Sequence, residues 1–302
     1  MDDRYFVHLF TPTKNVSPFD VNMAHSAMID GVIPYTEVGL DDIHTLTQDL
    51  IYSQGSKRTG IFIGGRDYGL AIDMFYRAKA AMFAPFEVSI FADPSGAITT
   101  AAAMVACVEV WVKNKTSESL EGKNIYILGG TGPVGVCAGI LASKCGAKVF
   151  LGSTRGKKVA QAIADEYNSR FNVNMQGEDI GSDNAIQNVV KISDVLINSA
   201  KAGLEVVSKS QLKHAKELIV AADANAVPPA GIEGIDVNDL GKELDFTPEK
   251  AVGIGALKIG HVKNKVHHRM FEMMRESDKP IYLDHEKAFE VARKFAAKYL
   301  KK

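Results

Sequence analysis

The chain of 302 residues is long enough for two domains of ordinary size, and its 46% hydrophobic and 24% charged residues are those of a globular protein with an ample core. A formal net charge of −1 supplies no overall field to attract nucleic acid or an anionic membrane. Three cysteines (Cys107, Cys137 and Cys145), none in a C-x-x-C pair, argue against a disulfide framework or a thiolate zinc site and for a reducing cytoplasm.

The first residues, Met1-Asp2-Asp3-Arg4, lack the basic and apolar regions of a signal peptide, and no run of ~18 apolar residues predicts a membrane span. A short strand is expected over 5–10, after which Pro12 and Pro18 break the chain. Val21, Ala24, Ala27 and Met28 give helical spacing over 20–29, and Ile43, Leu46, Leu50 and Ile51 do so over 40–51. A buried strand over 59–65, a helix over 71–82 stopped by Pro85, and a strand over 88–92 complete a small α/β domain. The alanine-rich stretch 99–112 reads as a helix, and the polar residues 113–119 as a surface connection. The domain change is placed there, giving a substrate or catalytic domain over 1–112 and a nucleotide-binding domain over 120–260. In the latter, strands are expected near 124–129, 147–152, 194–199, 217–222 and 252–257, with helices near 133–145, 156–169 and 183–191. That alternation predicts a Rossmann-type, doubly wound parallel sheet beside the smaller α/β domain. Helices over 262–277 and 286–301 are expected to pack back on the first domain.

The stretch Gly130-Thr131-Gly132-Pro133-Val134-Gly135 carries the most chemistry. It follows an apolar strand and opens a helix, the order of a dinucleotide-binding turn. The first two glycines permit a tight turn and close approach to a pyrophosphate, and the third permits close helix packing. The helix N-terminus then offers free N–H groups to the phosphates. The second strand ends in Leu151-Gly152-Ser153-Thr154-Arg155-Gly156-Lys157-Lys158, where an NAD-binding acid would otherwise stand. The hydroxyls of Ser153 and Thr154, the Arg155 guanidinium and Lys158 suit the 2′-phosphate of NADP, with NAD left possible. Ser199 and Ala200, at the end of a later strand, are small enough for a nucleotide to lie across them, and Asn225 ends the next strand as a candidate for the nicotinamide carboxamide. The competing explanations are ordinary turn chemistry and a solvated basic loop.

At the substrate end, Ser17, Phe19 and Asp20 stand at a helix start, where Asp20 also qualifies as an N-cap. Asp93, Thr99 and Thr100 occupy a polar turn before the alanine-rich helix. Gln54, Lys57 and Arg58 form a small basic loop. Lys258 and Lys263 flank Ile259-Gly260-His261 beyond a glycine-rich strand. The eight histidines form no metal pattern, and the adjacent His267 and His268 must point apart on a helix. There is no HExxH, nucleophile elbow or Walker loop, and no Tyr-x-x-x-Lys pair in the nucleotide domain. Hydride chemistry that needs no strong general acid fits this scarcity.

These segments resemble the NAD(P)-dependent methylene-tetrahydromethanopterin dehydrogenases of bacterial one-carbon metabolism. The matching stretches are SPFDVNMA at 17–24, IPYT at 33–36, TGIFIGG at 59–65, FADP at 91–94 with Thr99 and Thr100, GGTGPVG at 129–135, NAVPPAGI at 225–232 and GIGAL at 253–257. They run nearly the whole chain in the family's order. The resemblance implies hydride transfer from methylene-tetrahydromethanopterin to NAD(P)+, with Asp20 and Asp93 facing the pterin or the developing cation. It implies pterin contacts from Thr99 and Thr100, and positioning of the substrate by Lys263 or Lys258. It also implies a cytoplasmic homo-oligomer, trimer-based. Two alternatives remain open at this point: a methylene-tetrahydrofolate dehydrogenase with cyclohydrolase activity, and a non-catalytic NADP sensor.

Overall fold

The structure is a computed structural model, and it describes residues 4–53 and 58–299. Gln54 and Lys57 of the expected basic loop lie outside the described residues. In chain order come β1 (Phe6–Phe10), α1 (Pro18–Ser26), β2 (Gly31–Tyr35), α2 (Asp42–Tyr52), β3 (Thr59–Ile63), α3 (Tyr68–Ala80), β4 (Ser89–Ala92) and α4 (Ala97–Thr116). Next are β5 (Asn124–Leu128), α5 (Pro133–Lys144), β6 (Lys148–Ser153), α6 (Lys157–Phe171), β7 (Met175–Asp179), α7 (Asp183–Ile192) and β8 (Val195–Asn198). The remainder is α8 (Lys209–Leu212), β9 (Val220–Asp223), β10 (Leu240–Glu243), β11 (Val252–Ile254), α9 (Ala256–Glu276), β12 (Tyr282–Leu283) and α10 (His285–Tyr299). Two compact units result: 1–99 with 264–291, and 100–263 with 292–302.

The first unit holds a parallel sheet in the order β12-β4-β3-β1-β2. Every residue of β3 and β4 is buried, as expected of central strands covered on both faces. β2 is absent from the sequence-based expectation. Its Pro34 argues against a central strand, but the sheet places β2 at its edge, where a missing N–H is tolerated. α1 begins at Pro18 and not at 20. Ser17 is its N-cap, accepting from the Asp20 N–H at 3.3 Å, so capping is not the work of Asp20.

The second unit holds a sheet in the order β10-β11-β9-β8-β5-β6-β7, parallel except for β10 at the edge. Read from β7, the parallel strands follow the 3-2-1-4-5-6 order of a doubly wound fold, so the topological switch point lies between β5 and β8. α4 continues through Lys113 to Thr116, and the polar connection begins only at Ser117, which has φ +63°. α4 is long and apolar enough to cross a bilayer, but most of it is buried in the protein, which makes it a core helix. β11 ends at Ile254 and α9 begins at Ala256, so Lys258, expected before the helix, lies within it, while Lys263 is helical as expected.

The chain after β9 is fastened by a buried carboxylate. Asp223 accepts from the Asn198 amide at 2.8 Å, from the Asn225 N–H at 2.9 Å and from the Ile232 N–H at 3.0 Å. Removing it leaves three buried donors without that acceptor. Asp223→Ala is expected to lower unfolding stability by about 3 kcal/mol or more in urea titrations, since each such donor carries a desolvation penalty.

Candidate functional site

In the second unit the glycine turn joins β5 to α5 beside the switch point. A Cβ on Gly130 would lie 2.7 Å from the backbone of Ile127 and Leu151, and one on Gly135 would lie 2.7 Å from the backbone of Gly129 and Gly130. Both are glycine because helix and strand are packed this closely. Gly132 is different. Its φ of −86° and ψ of 168° suit any residue, and a Cβ there would approach nothing nearer than the Gly129 carbonyl at 3.5 Å. The protein's own packing does not require glycine at this position. Gly132 is the N-cap of α5, with no side-chain cap, and Pro133 opens the helix. The N–H groups of Val134 and Gly135 therefore lie in the first turn, where helices bind anions.

The remaining cofactor candidates gather on the same sheet edge. The Arg155 guanidinium donates to the Thr131 hydroxyl at 3.4 Å, which ties the end of β6 to the glycine turn. Ser153 is buried and its hydroxyl accepts from the Arg155 N–H at 3.1 Å, while Thr154, Arg155 and Lys158 are exposed. Lys157 pairs with Glu178 at 3.7 Å. The Ser199 hydroxyl donates to the Leu128 carbonyl at 3.2 Å, and the Ala200 N–H donates to the Asn198 side chain at 3.1 Å. Asn225 is engaged by the backbone. Its amide donates to the Pro229 carbonyl at 2.8 Å, and its oxygen accepts from the N–H groups of Gly203 at 3.2 Å and Val227 at 2.9 Å.

The first unit contains a buried charge cluster. Asp93 follows β4 at 0% exposure and accepts from the N–H groups of Ile98 at 2.9 Å and Thr99 at 3.1 Å. The Thr99 hydroxyl, itself fully buried, donates to Asp93 at 2.6 Å. The turn between them carries Ser95 at φ +51°, a conformation that a side chain disfavours, with its hydroxyl donating to the Gly65 carbonyl at 2.9 Å. On its other side Asp93 meets His267, with Oδ2 at 2.9 Å from Nδ1. Nε2 of the same ring faces Asp20 Oδ1 at 3.9 Å. His267 is fully buried, and Phe19, Phe62, Phe91 and Phe271 surround it with ring centroids at 5.3–5.9 Å. Asp20 is 3% exposed and Phe19 40% exposed, so this edge of the cluster is the one that reaches the surface.

The fold thus brings Phe19, Asp20 and Asp93 against one imidazole, with Ser17 capping the helix that carries Asp20 and Thr99 bonded to Asp93. Thr100, the next residue of α4, is half-buried. Lys263 is half-buried one helical turn before His267 on α9, whereas Lys258 stands five residues earlier, about 140° round the helix from Lys263, on another face. Sequence reasoning overlooked His267 by treating the His267-His268 pair only as a failed metal clamp. A signal was present: His267 interrupts the apolar stripe of Val262, Val266, Met270, Phe271 and Met274, all buried. His268 points away, its Nε2 lying 2.9 Å from the Ser26 carbonyl.

Residues 18–95 match the family described as methylene-tetrahydromethanopterin dehydrogenase, N-terminal. The chain is 42% identical over 292 residues to the NAD(P)-dependent methylenetetrahydromethanopterin dehydrogenase of Methylorubrum extorquens, covering 96% of this chain and 98% of that protein. It is 35% identical over 290 residues to the bifunctional protein MdtA of the same organism, covering 95% and 97%. Among solved structures, the NAD-dependent malic enzyme of Thermotoga maritima aligns with a TM-score of 0.56 at 12% identity, covering 96% of this chain and 85% of that one. Shikimate 5-dehydrogenase from Listeria monocytogenes aligns with a TM-score of 0.50 at 13% identity, covering 96% and 97%. At such low identity these two establish a shared fold.

Two glycines of one turn are expected to separate folding from binding. Gly135→Ala forces a Cβ into backbone and is expected to destabilise by roughly 1–3 kcal/mol in thermal unfolding. Gly132→Ala is expected to leave unfolding within about 0.5 kcal/mol of the parent while weakening dinucleotide binding in calorimetry.

Proposed function

This chain belongs to the methylene-tetrahydromethanopterin dehydrogenase family, and we propose that it takes a hydride from methylene-tetrahydromethanopterin to NAD(P)+, giving the methenyl product in one-carbon (formaldehyde) oxidation. The observation that carries the proposal is the 42% likeness over 96% of the chain to a dehydrogenase of that name. The open position at Gly132 supports the nucleotide half of it.

The glycine turn, from Gly130 and Thr131 through Gly132, Pro133, Val134 and Gly135, holds the pyrophosphate against the first turn of α5. Thr154, Arg155 and Lys158, with the backbone of Ser153, take the 2′-phosphate of NADP, and NAD is accepted as well. Ser199, Ala200 and Asn225 shape the floor beside the switch point. NAD(P)+ supplies the hydride acceptor when bound.

The pterin is assigned to the first unit. The carbon that loses the hydride lies between two nitrogens whose lone pairs spread the positive charge, so the protein needs no strong acid or base there. Its tasks are orientation, which can lower a barrier by roughly 7–11 kcal/mol, and a favourable field for the cation. Asp20 supplies that field, and Ser17 sets its place by capping α1. Phe19 offers an exposed ring for the flat pterin. Thr100 and Lys263, expected from sequence to contact and position the substrate, belong to the second unit and are given no place in the first unit's pocket. Lys258, on another face of α9, receives no role. Asp93 and Thr99, expected from sequence to touch the pterin, are fully buried and are assigned instead to the packing behind Asp20. A cytoplasmic location and a homo-oligomeric, trimer-based assembly belong to the same proposal, on the family resemblance.

Purified protein given methylene-tetrahydromethanopterin is expected to reduce NADP, followed by nicotinamide absorbance; no reduction of either nucleotide would refute the proposal. Asp20→Ala is expected to lower kcat/KM at least about tenfold, or ~1.4 kcal/mol; a change within about twofold, only ~0.4 kcal/mol, removes Asp20 from the mechanism. Arg155→Ala is expected to raise KM for NADP about tenfold while leaving that for NAD nearly unchanged, because the charge-assisted contact exists only with the 2′-phosphate. Equal effects on both would contradict that contact.

A further inference from the structure

We propose that Glu178 sets the balance between NAD and NADP: its carboxylate opposes the 2′-phosphate of NADP and holds Lys157 back from it, which keeps NAD competitive at a loop otherwise rich in cations. This deepens the coenzyme half of the proposed function and rests on its assignment of the 2′-phosphate to the end of β6.

The start of α6 carries charge of the wrong sign for a helix. Gly156, at φ +92°, is an N-cap with no side-chain cap, and the first turn holds no acid but opens on Lys157 and Lys158. Ammonium groups at the positive end of a helix dipole are unfavourable until an anion meets them. Arg155 adds a guanidinium to the same loop. Cations gathered in this way favour a nucleotide with an additional phosphate over one with a plain hydroxyl.

Glu178 works against that preference. β6 and β7 run parallel, with Gly152 opposite Glu178 and Ser153 opposite Asp179. Glu178 thus stands one strand away from the end of β6, where a doubly wound sheet meets the adenylyl ribose. Its partner in register is a glycine, so no side chain at that position shields the carboxylate. Oε1 accepts from the Asp179 N–H at 3.2 Å, and Oε2 lies 3.7 Å from Lys157 Nζ. Asp179 is committed elsewhere, its Oδ1 accepting from the Gly181 N–H at 2.8 Å within its own turn. Glu178 is half-buried and Lys157 exposed, and an ion pair open to water on one side is weak enough to exchange for another anion.

A 2′-phosphate carries a charge of about −1.5 to −2. Set beside Glu178 it meets a like charge, and drawing Lys157 onto it takes the countercharge from Glu178. A 2′-hydroxyl meets neither penalty. Neighbouring strands are about 4.8 Å apart, well inside the Debye length of about 8 Å at physiological ionic strength, so the repulsion acts across the two strand ends.

Isothermal titration calorimetry of the full-length protein with NADP+, NAD+ and the fragment 2′,5′-ADP at low ionic strength tests this without turnover. Glu178→Gln keeps an acceptor for the Asp179 N–H and removes only the charge. It is expected to tighten NADP+ and 2′,5′-ADP at least about fivefold and to leave NAD+ within about twofold, which also shows the variant to be folded, and added salt is expected to narrow the gain. Lys157→Ala is expected to weaken NADP+ more in the Glu178→Gln background than in the parent, because the released ammonium then reaches the phosphate; equal losses overturn the proposal. Glu166→Gln removes a charge farther along α6, where Glu166 pairs with Arg170 at 3.6 Å, and is expected to alter neither nucleotide. A gain there equal to that of Glu178→Gln overturns the proposal in favour of net charge alone. NADP+ binding unchanged by Glu178→Gln overturns it, as does a loss of NAD+ binding, which would make Glu178 a ligand of the 2′-hydroxyl. Failure of the underlying assignment reads differently: Arg155→Ala then binds NADP+ as tightly as the parent, and the proposal falls with it.

Discussion

A carboxylate with no exposure must be compensated where it lies, and in the first unit that demand falls on Asp93. Burying an ion costs several kcal/mol even after the protein relaxes around it. Two backbone N–H groups and the Thr99 hydroxyl offset that penalty, and the His267 ring lies against the same carboxylate at 2.9 Å. The arrangement fixes three pieces of chain at one point: the turn after β4, the start of α4 and the middle of α9. The left-handed Ser95 is a product of the same constraint, since the chain must fold back sharply for Asp93 to reach the N–H groups ahead of it. Asp20 then stands across the imidazole, nearly buried but next to the exposed Phe19. The cluster therefore has a closed end at Asp93 and, at Asp20 and Phe19, an end nearer the surface.

The second unit achieves its geometry with backbone instead of charge. Gly130 and Gly135 allow β5, β6 and α5 to approach until a single Cβ would collide. That packing fixes the first turn of α5, while a Cβ on Gly132 would meet nothing nearer than the Gly129 carbonyl at 3.5 Å. Arg155 reaches back to Thr131, so a loop from the second strand and the turn from the first present their polar groups together. Asp223 and Asn225 play the corresponding part further along the sheet edge, where side-chain amide and carboxylate groups replace missing backbone partners in the loops after β8 and β9.

What could be read from the sequence divides along the same line. The glycine turn, the strands on either side of it and the alternation of both units are local signals: a few adjacent residues specify strand, turn and helix. β7 escaped because Met175–Asp179 is polar at alternate positions and carries Gly177, which exists so that α6 can lie against it, with a Cβ there only 2.1 Å from the Gln161 backbone. β12 is two residues long and has no period to detect. The cluster around His267 joins residues that are remote in the chain, and no spacing rule links Asp20, Asp93 and His267. The family resemblance pointed to both aspartates but gave no reason to separate them. Burial does so: one is enclosed by donors, the other stands at the edge.

The central claim is that hydrogen leaves the one-carbon bridge of the pterin as hydride and arrives on a nicotinamide. Methylene-tetrahydromethanopterin deuterated at the bridging carbon, incubated with the protein and NADP in ordinary water, tests it directly. Mass spectrometry is expected to find one deuteron per reduced nicotinamide, on one face of C4. Reduced nucleotide that carries only solvent hydrogen would contradict the claim.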